Sequence, residues 1–390
     1  MVGDSMAYLF SFLSVATTNL VASALTGEEA EHRVRATLAT AVRLALLCGL
    51  TSAAAQILFG QALLGRYTNA RSAEVIGPAF EYVRVRALGA PAALLAKVSI
   101  ATCLAMKDSV TPLAVVAASG ALNLALDMLL VPAHGIAGAA WATVASELGC
   151  AAAALLVVAR KLRSGTAAAT AAAAAAAALP LLPSRGQLAE YAAFARPLVV
   201  SLAGKIATYS ALAHVATTVG VVSTAAHRVL MCVYWFAWPF AEVLSQVGQA
   251  FMPAAMAGGA RRARPLVRKL LAGGVLVGMA CGGASAGALA VAPQLFTRDA
   301  AVVAAIRELL PLVSGCIGTL ACMCAMEGTL LASRQLRFLG GFYAANAVAM
   351  VGAFAVVERV GGGLPAAWAC MLAFQLARLA AFALRLRVSV

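Results

Sequence analysis

Two polar side chains interrupt the apolar segment ALNLALDMLL at residues 121–130. Asn123 and Asp127 are four residues apart, which places them on one face of a helix, one turn from each other. A carboxylate inside a long apolar segment is costly unless it faces a cavity or a partner, so Asp127 is a candidate functional group. The pair offers oxygen ligands for a small cation, and the carboxylate can also bind and release a proton. The alternative is a buried Asp capped by neighbouring helices.

A second set of polar and aromatic side chains lies in the apolar segments of the C-terminal half. An aromatic and amide stripe facing a cavity suits an organic substrate, so these residues are predicted to line a substrate cavity. The alternatives are hydrogen bonds between helices and, for the lysine, an ion pair or a position near the membrane surface. The predicted cavity residues are Lys205, Tyr209, Trp235, Trp238, Glu242, Gln246 and Gln249.

Three further polar residues, Glu147, Glu327 and His227, are interpreted as gating or helix-packing groups. The spacing of Gly274, Gly278 and Gly282 predicts close packing of one helix against another. No HExxH, GxSxG or Walker lysine motif is present, and the nine cysteines form no metal-binding pattern. The sequence therefore predicts neither an enzyme nor a cofactor, metal or disulfide site.

The composition is that of a membrane protein. Of the 390 residues, 63% are hydrophobic and only 11% are charged, and the mean hydropathy is +0.91. The net charge of +14 does not indicate nucleic-acid binding, because the basic residues stand between apolar segments, where they set membrane topology. We expect an all-α polytopic protein, monomeric in the bilayer, with eleven membrane spans: 6–26, 38–60, 79–106, 110–131, 136–160, 190–219, 222–253, 267–291, 301–333, 338–357 and 363–386.

Lysine and arginine distribution predicts the orientation of these spans. Most basic residues of the connecting segments fall in the odd-numbered loops and the C-terminal tail, with the densest cluster at 261–269. By the positive-inside rule, those loops and the C-terminus face the cytoplasm or the equivalent compartment of an organelle.

The chain also repeats itself weakly. Ala-Ala-Trp-Ala begins at Ala139 and again at Ala366, 227 residues later, and LSVATTNLVASAL at 13–25 resembles LSQVGQAFMPAAM at 244–256. We therefore predict two pseudo-symmetric helical lobes of parallel topology, at 1–163 and 190–390, joined by an Ala-rich linker at 164–189. The repeat assigns five spans to the first lobe and six to the second, so a first helix is expected to be missing from the N-terminal lobe.

Seven segments together resemble the multidrug and toxic compound extrusion (MATE) transporters. The similarity is greatest to the plant and algal branch related to the bacterial DNA-damage-inducible protein F. The matching segments are LFSFLSVATTNLVASAL (9–25), NLALDMLL (123–130), GIAGAAWATVAS (135–146), GKIATYS (204–210), AAHRV (225–229), SQVGQAFMP (245–253) and EGTLLASRQLRF (327–338).

The resemblance implies a secondary antiporter that exports small organic compounds or xenobiotics in exchange for protons or sodium, by alternating access of two lobes. It implies that Asp127, with Asn123 before it, couples transport to the cation. The location implied is a chloroplast envelope, or otherwise a plasma or vacuolar membrane. The alternatives are a flippase for lipid-linked substrates and a truncated, inactive or regulatory membrane protein.

Overall fold

The computed structural model describes residues 10–25, 30–67, 76–163 and 184–389, and all the regular structure in these ranges is helical. Most of the predicted Ala-rich linker, at 164–183, lies outside the described residues. The helices are α1 (Ser11–Ala24), α2 (Ala30–Tyr67), α3 (Ile76–Ala105), α4 (Val110–Arg163), α5 (Arg185–Val219), α6 (Val221–Ala257), α7 (Ala260–Val291), α8 (Ala300–Ala332), α9 (Leu336–Arg359) and α10 (Gly363–Ser389), with a 3₁₀ turn at Pro293–Leu295.

Helix α4 folds back on itself at Gly135, whose φ of 55° and ψ of −132° are not helical. The Ser119 hydroxyl donates to the Ser146 carbonyl at 2.9 Å, although a straight helix would separate these residues by about 40 Å. A Cβ on Gly138 would lie 2.3 Å from the Leu130 carbonyl oxygen. The two halves of α4 therefore run antiparallel, and they correspond to the two predicted spans 110–131 and 136–160.

The chain divides into two compact units, Met1–Ala195 and Arg196–Val390, with α5 passing from one to the other. Small side chains fill much of the first unit, where Ala92, Ala96 and Ala151 form a core cluster. In the second unit, Met252 and Leu270 pack with alanines of α7 and α8. The predicted two-lobe, all-helical fold is confirmed.

The surface has the character expected of a protein in lipid. Large apolar side chains on several helices are exposed, among them Leu58, Met128, Phe236 and Leu276, while Gln375 and Arg378 are fully buried. Eight of the described helices are long and apolar enough to cross a membrane. The chain is a multi-pass membrane protein.

The predicted glycine stripe forms the contact between α7 and α8. A Cβ on Gly278 would lie 2.0 Å from the Gly318 carbonyl oxygen, and one on Gly274 would lie 2.8 Å from the Cα of Cys322. Gly282 faces the Ser314 carbonyl in the same way. The close neighbours are mainly backbone atoms. The two helices could therefore not pack this closely if larger residues replaced the glycines of the stripe.

A basic residue in the left-handed conformation ends one helix in each unit. Lys107, with φ of 63°, follows α3, and Arg334, with φ of 54°, follows α8. In each turn the backbone N–H of this residue and that of the next residue donate to the end of the preceding helix. The acceptors are the carbonyls of Leu104 and Cys103 in one unit and of Leu331 and Leu330 in the other. These are Schellman turns. The two turns are 227 residues apart, the offset predicted from the tryptophan motif.

The side chain of the residue that follows each left-handed residue contacts a later helix of the same unit. Asp108 forms an ion pair with Lys161 at 2.8 Å, and the Gln335 side chain accepts hydrogen bonds from Arg385 at 2.6 and 3.1 Å. The hydrogen bonds from Lys161 and from Thr111 lower the pKa of Asp108 from 3.8 to about 2.

This depressed pKa gives a pH-dependent contribution to stability. A carboxyl group with a lower pKa in the folded state stabilises the fold above its unfolded pKa, and the contribution is lost as the pH falls from about 4 towards 2. We expect Asp108→Asn to cost about 1 kcal/mol at neutral pH, because the pair is partly exposed. Thermal unfolding in detergent should show the difference between wild type and variant shrinking below pH 4. An equal difference at pH 7 and pH 3 would contradict this role, and Asp299→Asn, at the N-cap of α8, is the control.

Candidate functional site

Glu327 is the centre of a buried polar cluster in the second unit. Its Oε1 accepts from Lys205 Nζ at 2.7 Å, and its Oε2 accepts from the Tyr343 hydroxyl at 2.8 Å and from Arg378 Nη2 at 3.1 Å. Helices α5, α8, α9 and α10 each contribute one of these side chains. The side chain of Arg378 is fully buried, and that of Glu327 is 11% exposed. A carboxylate so placed is held by two cations and one hydroxyl.

A chain of hydrogen bonds extends the cluster towards α6. Arg378 Nη1 donates to Gln375 Oε1 at 2.8 Å, and Gln375 Nε2 donates to the Tyr234 hydroxyl at 2.9 Å. The Tyr234 hydroxyl lies 3.1 Å from that of Tyr209. A buried polar network stabilises the fold only when its donors and acceptors are hydrogen-bonded to one another. Most of the polar side-chain atoms of this network are bonded in that way.

Aromatic rings surround the lysine of the cluster. Lys205 Nζ lies 4.7 Å from the ring centre of Tyr343 and 5.7 Å from that of Trp238. Trp235 packs between Trp238 and Tyr209, at ring separations of 5.7 and 5.1 Å. Four of the predicted cavity residues therefore come together, and one of them, Lys205, places its charge over the Trp238 ring.

The remaining predicted cavity residues all lie on α6. Glu242 is partly buried and interacts electrostatically with Glu327 and Lys205, and it bonds to Ser245. Gln249 is buried and donates to the Ser245 hydroxyl at 3.2 Å, and Gln246 is partly buried. Glu242 therefore belongs with the Glu327 cluster, while Gln249 makes a contact within its own helix.

Asp127 and Asn123 lie in the first unit, on the half of α4 that precedes Gly135. The Asn123 amide nitrogen is 3.5 Å from the Thr143 hydroxyl on the opposite half. Oδ1 of Asp127 is shielded from solvent and accepts no hydrogen bond from the part of the chain that the structure describes. Such an orphaned carboxylate oxygen is uncommon, because burying it without a partner is costly.

The two other predicted gating or packing residues, Glu147 and His227, contact neighbouring helices. Glu147 pairs with Arg86 at 2.9 Å and so joins α4 to α3. His227 is buried against Trp368, with 5.8 Å between ring centres. The first contact lies within the first unit and the second contact within the second unit.

Four residues of the Glu327 cluster were not predicted from the sequence to be functional: Arg378, Gln375, Tyr343 and Tyr234. A signal for the first was present, because an arginine inside the apolar segment MLAFQLARLAAFAL is as unusual as Asp127 in its own segment. The tyrosines carry no such signal, since a tyrosine within an apolar helix is ordinary.

Comparisons of the sequence with known proteins give one family. A family model described as MatE matches residues 3–129. The chain is 32% identical over 391 residues to Protein DETOXIFICATION 47, chloroplastic, of Arabidopsis thaliana, covering 98% of this chain and 69% of that protein. It is 35% identical over 121 residues to Protein DETOXIFICATION 44, chloroplastic, of the same plant, covering 30% of this chain and 23% of that protein.

Solved structures with the same fold are more distant in sequence. An outward-facing multidrug resistance MATE family transporter of the MOP superfamily superposes with a TM-score of 0.81 at 17% identity, over 100% of this chain and 85% of that one. The Vibrio cholerae MATE transporter VcmN in its bent form gives 0.78 at 17% identity, over 100% and 87%. These likenesses establish the fold of the chain.

Proposed function

The chain belongs to the MATE family of membrane transporters, and we propose that it is a secondary antiporter that exports small organic compounds by alternating access, driven by protons or sodium. Asp127 couples the cation to transport, with Asn123 as its neighbouring ligand. The organic substrate binds against Lys205 of the Glu327 cluster and the Trp238 ring beside it.

One observation carries the coupling role, the orphaned Oδ1 of Asp127. A buried carboxylate oxygen without a hydrogen-bond donor is stabilised by a proton or by a bound cation, and it becomes costly when neither is present. Loading and unloading this oxygen therefore changes the energy of the surrounding helices. An antiporter needs such a change to link cation movement to its conformational cycle.

The location we propose is the chloroplast envelope. The Arabidopsis thaliana relative of which this chain covers 69% is described as chloroplastic. The membrane character of the chain itself rests on its helices and exposed apolar surface.

The test is flux into proteoliposomes under an imposed pH gradient or an imposed sodium gradient. Two probes of opposite charge, ethidium and carboxyfluorescein, cover organic cations and anions. We expect one of the gradients to drive probe movement and Asp127→Asn to reduce that flux at least about tenfold. Thermal stability should change little, because the substitution removes no hydrogen bond from Oδ1.

Asp299→Asn is the matched control, since it removes a carboxylate from the N-cap of α8 instead. Gradient-driven flux that survives Asp127→Asn would overturn the coupling role. Flux of neither probe under either gradient would count against the antiporter itself.

A further inference from the structure

A cavity of about 470 Å³ lies in the second unit, among α7, α8 and α10, apart from the Glu327 cluster. Its lining divides into two parts. One is basic, formed by Arg264, Arg268 and Arg387, and the other is apolar, formed by Val267, Leu271, Met326, Ala383 and Leu386. No acidic residue belongs to this described lining.

Three basic side chains come together in the lining of the cavity. Arg264 and Arg268 lie one turn apart near the N-terminal end of α7, which begins at Ala260. Arg387, near the end of α10, brings a third positive charge to the same cavity. An anion bound among the three arginines would accept charge-assisted hydrogen bonds from them and reduce the repulsion between them.

The apolar part continues along the outside of α7. Arg264, Arg268, Leu271, Val275 and Met279 follow one another at steps of three or four residues, so they share one face of the helix. Val275 is 51% exposed and Met279 is 71% exposed. A ligand with an anionic end in the cavity therefore has an exposed apolar path on which to lay hydrocarbon chains.

We propose that this cavity binds the phosphate of an anionic glycerophospholipid, whose acyl chains lie along Leu271, Val275 and Met279. Basic pockets between membrane helices on the positive-inside face are suited to acidic lipid headgroups. The start of α7 and the end of α10 both lie on the face that the loop charges assign to that side. A free phosphate shares the anionic chemistry but would leave the apolar part of the site without a function.

The experiment measures lipid binding and needs no transport. The full chain in phosphatidylcholine nanodiscs, with or without phosphatidylglycerol, is extracted and its retained lipid is counted by native mass spectrometry. The pocket variant is Arg264→Gln, Arg268→Gln and Arg387→Gln together. The control is Arg261→Gln, Arg262→Gln and Lys269→Gln, which removes three charges from the same exposed end of α7.

We expect the wild type and the control to retain phosphatidylglycerol and the pocket variant to bind it about a hundredfold more weakly. Equal losses in the pocket variant and the control would show only general surface attraction and would overturn the site. A second variant, Ala383→Phe, places an aromatic ring in the cavity while keeping every charge, and it should also release the lipid. Retention of lipid by Ala383→Phe would overturn the site even if the triple variant failed to fold.

Inorganic phosphate distinguishes the two sources of the anion. If phosphate alone raises the unfolding temperature of the wild type, but not of the pocket variant, as much as phosphatidylglycerol does, the ligand is a soluble phosphate and the lipid proposal is wrong. Protection by the lipid without protection by phosphate supports it.

Discussion

Glu327→Gln is expected to destabilise the second unit by about 3 kcal/mol, because it leaves the fully buried Arg378 and the partly buried Lys205 without the carboxylate that pairs with both. The loss should appear as a large fall in the thermal unfolding temperature in detergent. Glu327 accepts from both cations and from Tyr343, so the glutamine can replace only part of the bonding. Transport should be lost with it, since the same residues surround the aromatic site.

A control on the same helix separates this loss of stability from a general sensitivity of α8 to substitution. Glu308→Gln makes the same substitution on the same helix at an exposed position and should be nearly neutral. Adding Lys205→Met to Glu327→Gln removes one of the two stranded cations, so the double variant should be more stable than Glu327→Gln alone. A double variant less stable than the single one would contradict the pairing described here.

Gly278→Leu is expected to disturb the packing of α7 on α8 in the second unit, at a cost of about 3 kcal/mol. The added Cβ would lie 2.0 Å from the Gly318 carbonyl oxygen, which is backbone and cannot rotate away. Helices α7 and α8 would have to move apart along their length, which would also open the contacts of Gly274 and Gly282. Size-exclusion profiles and unfolding temperature in detergent would measure the effect.

Gly283→Leu is the control for this prediction. Gly283 lies on the same helix, five residues further on, and a Cβ there would meet nothing within 4 Å. A Gly283→Leu protein as unstable as Gly278→Leu would indicate that helix propensity or insertion is responsible, and not the close approach of the two helices.

The fold could be predicted from the sequence to a considerable extent. The Ala-Ala-Trp-Ala repeat gave an offset of 227 residues, and the turns at Lys107 and Arg334 have that same separation. Apolar segments located the helices because a membrane requires long apolar stretches. The reversal of α4 at Gly135 also matched the gap between two predicted spans.

The candidate site could be predicted only in part. A lone charge in an apolar helix can be recognised in the sequence, but its partner on another helix cannot. Arg378 reaches Glu327 from α10, and Tyr343 reaches it from α9, so the cluster depends on how four helices pack. Burial is equally hidden, since Trp141 and Trp368 occupy equivalent motif positions but are 48% and 0% exposed.

Charged residues distinguish the two units at positions that the repeat makes equivalent. Asp127 of the first unit corresponds to Phe354 of the second, and Glu327 of the second corresponds to Ile100 of the first. The two units thus share the turns at Lys107 and Arg334 while carrying their charges at different positions of the repeat. The proposed cation site at Asp127 and the Glu327 cluster therefore have no equivalent in each other's unit.

The turns at Lys107 and Arg334 also bear on how the chain enters its membrane. Each places a side chain in a backbone conformation that costs a non-glycine residue about 1 kcal/mol, and glycine would fit either position without strain. Glycine would also remove a positive charge from a short loop between two spans, where such charges direct insertion. Lysine and arginine at these turns therefore cost a little folded-state stability and favour the orientation predicted from the loop charges. The sequence at a helix end here serves the insertion machinery as well as the finished fold.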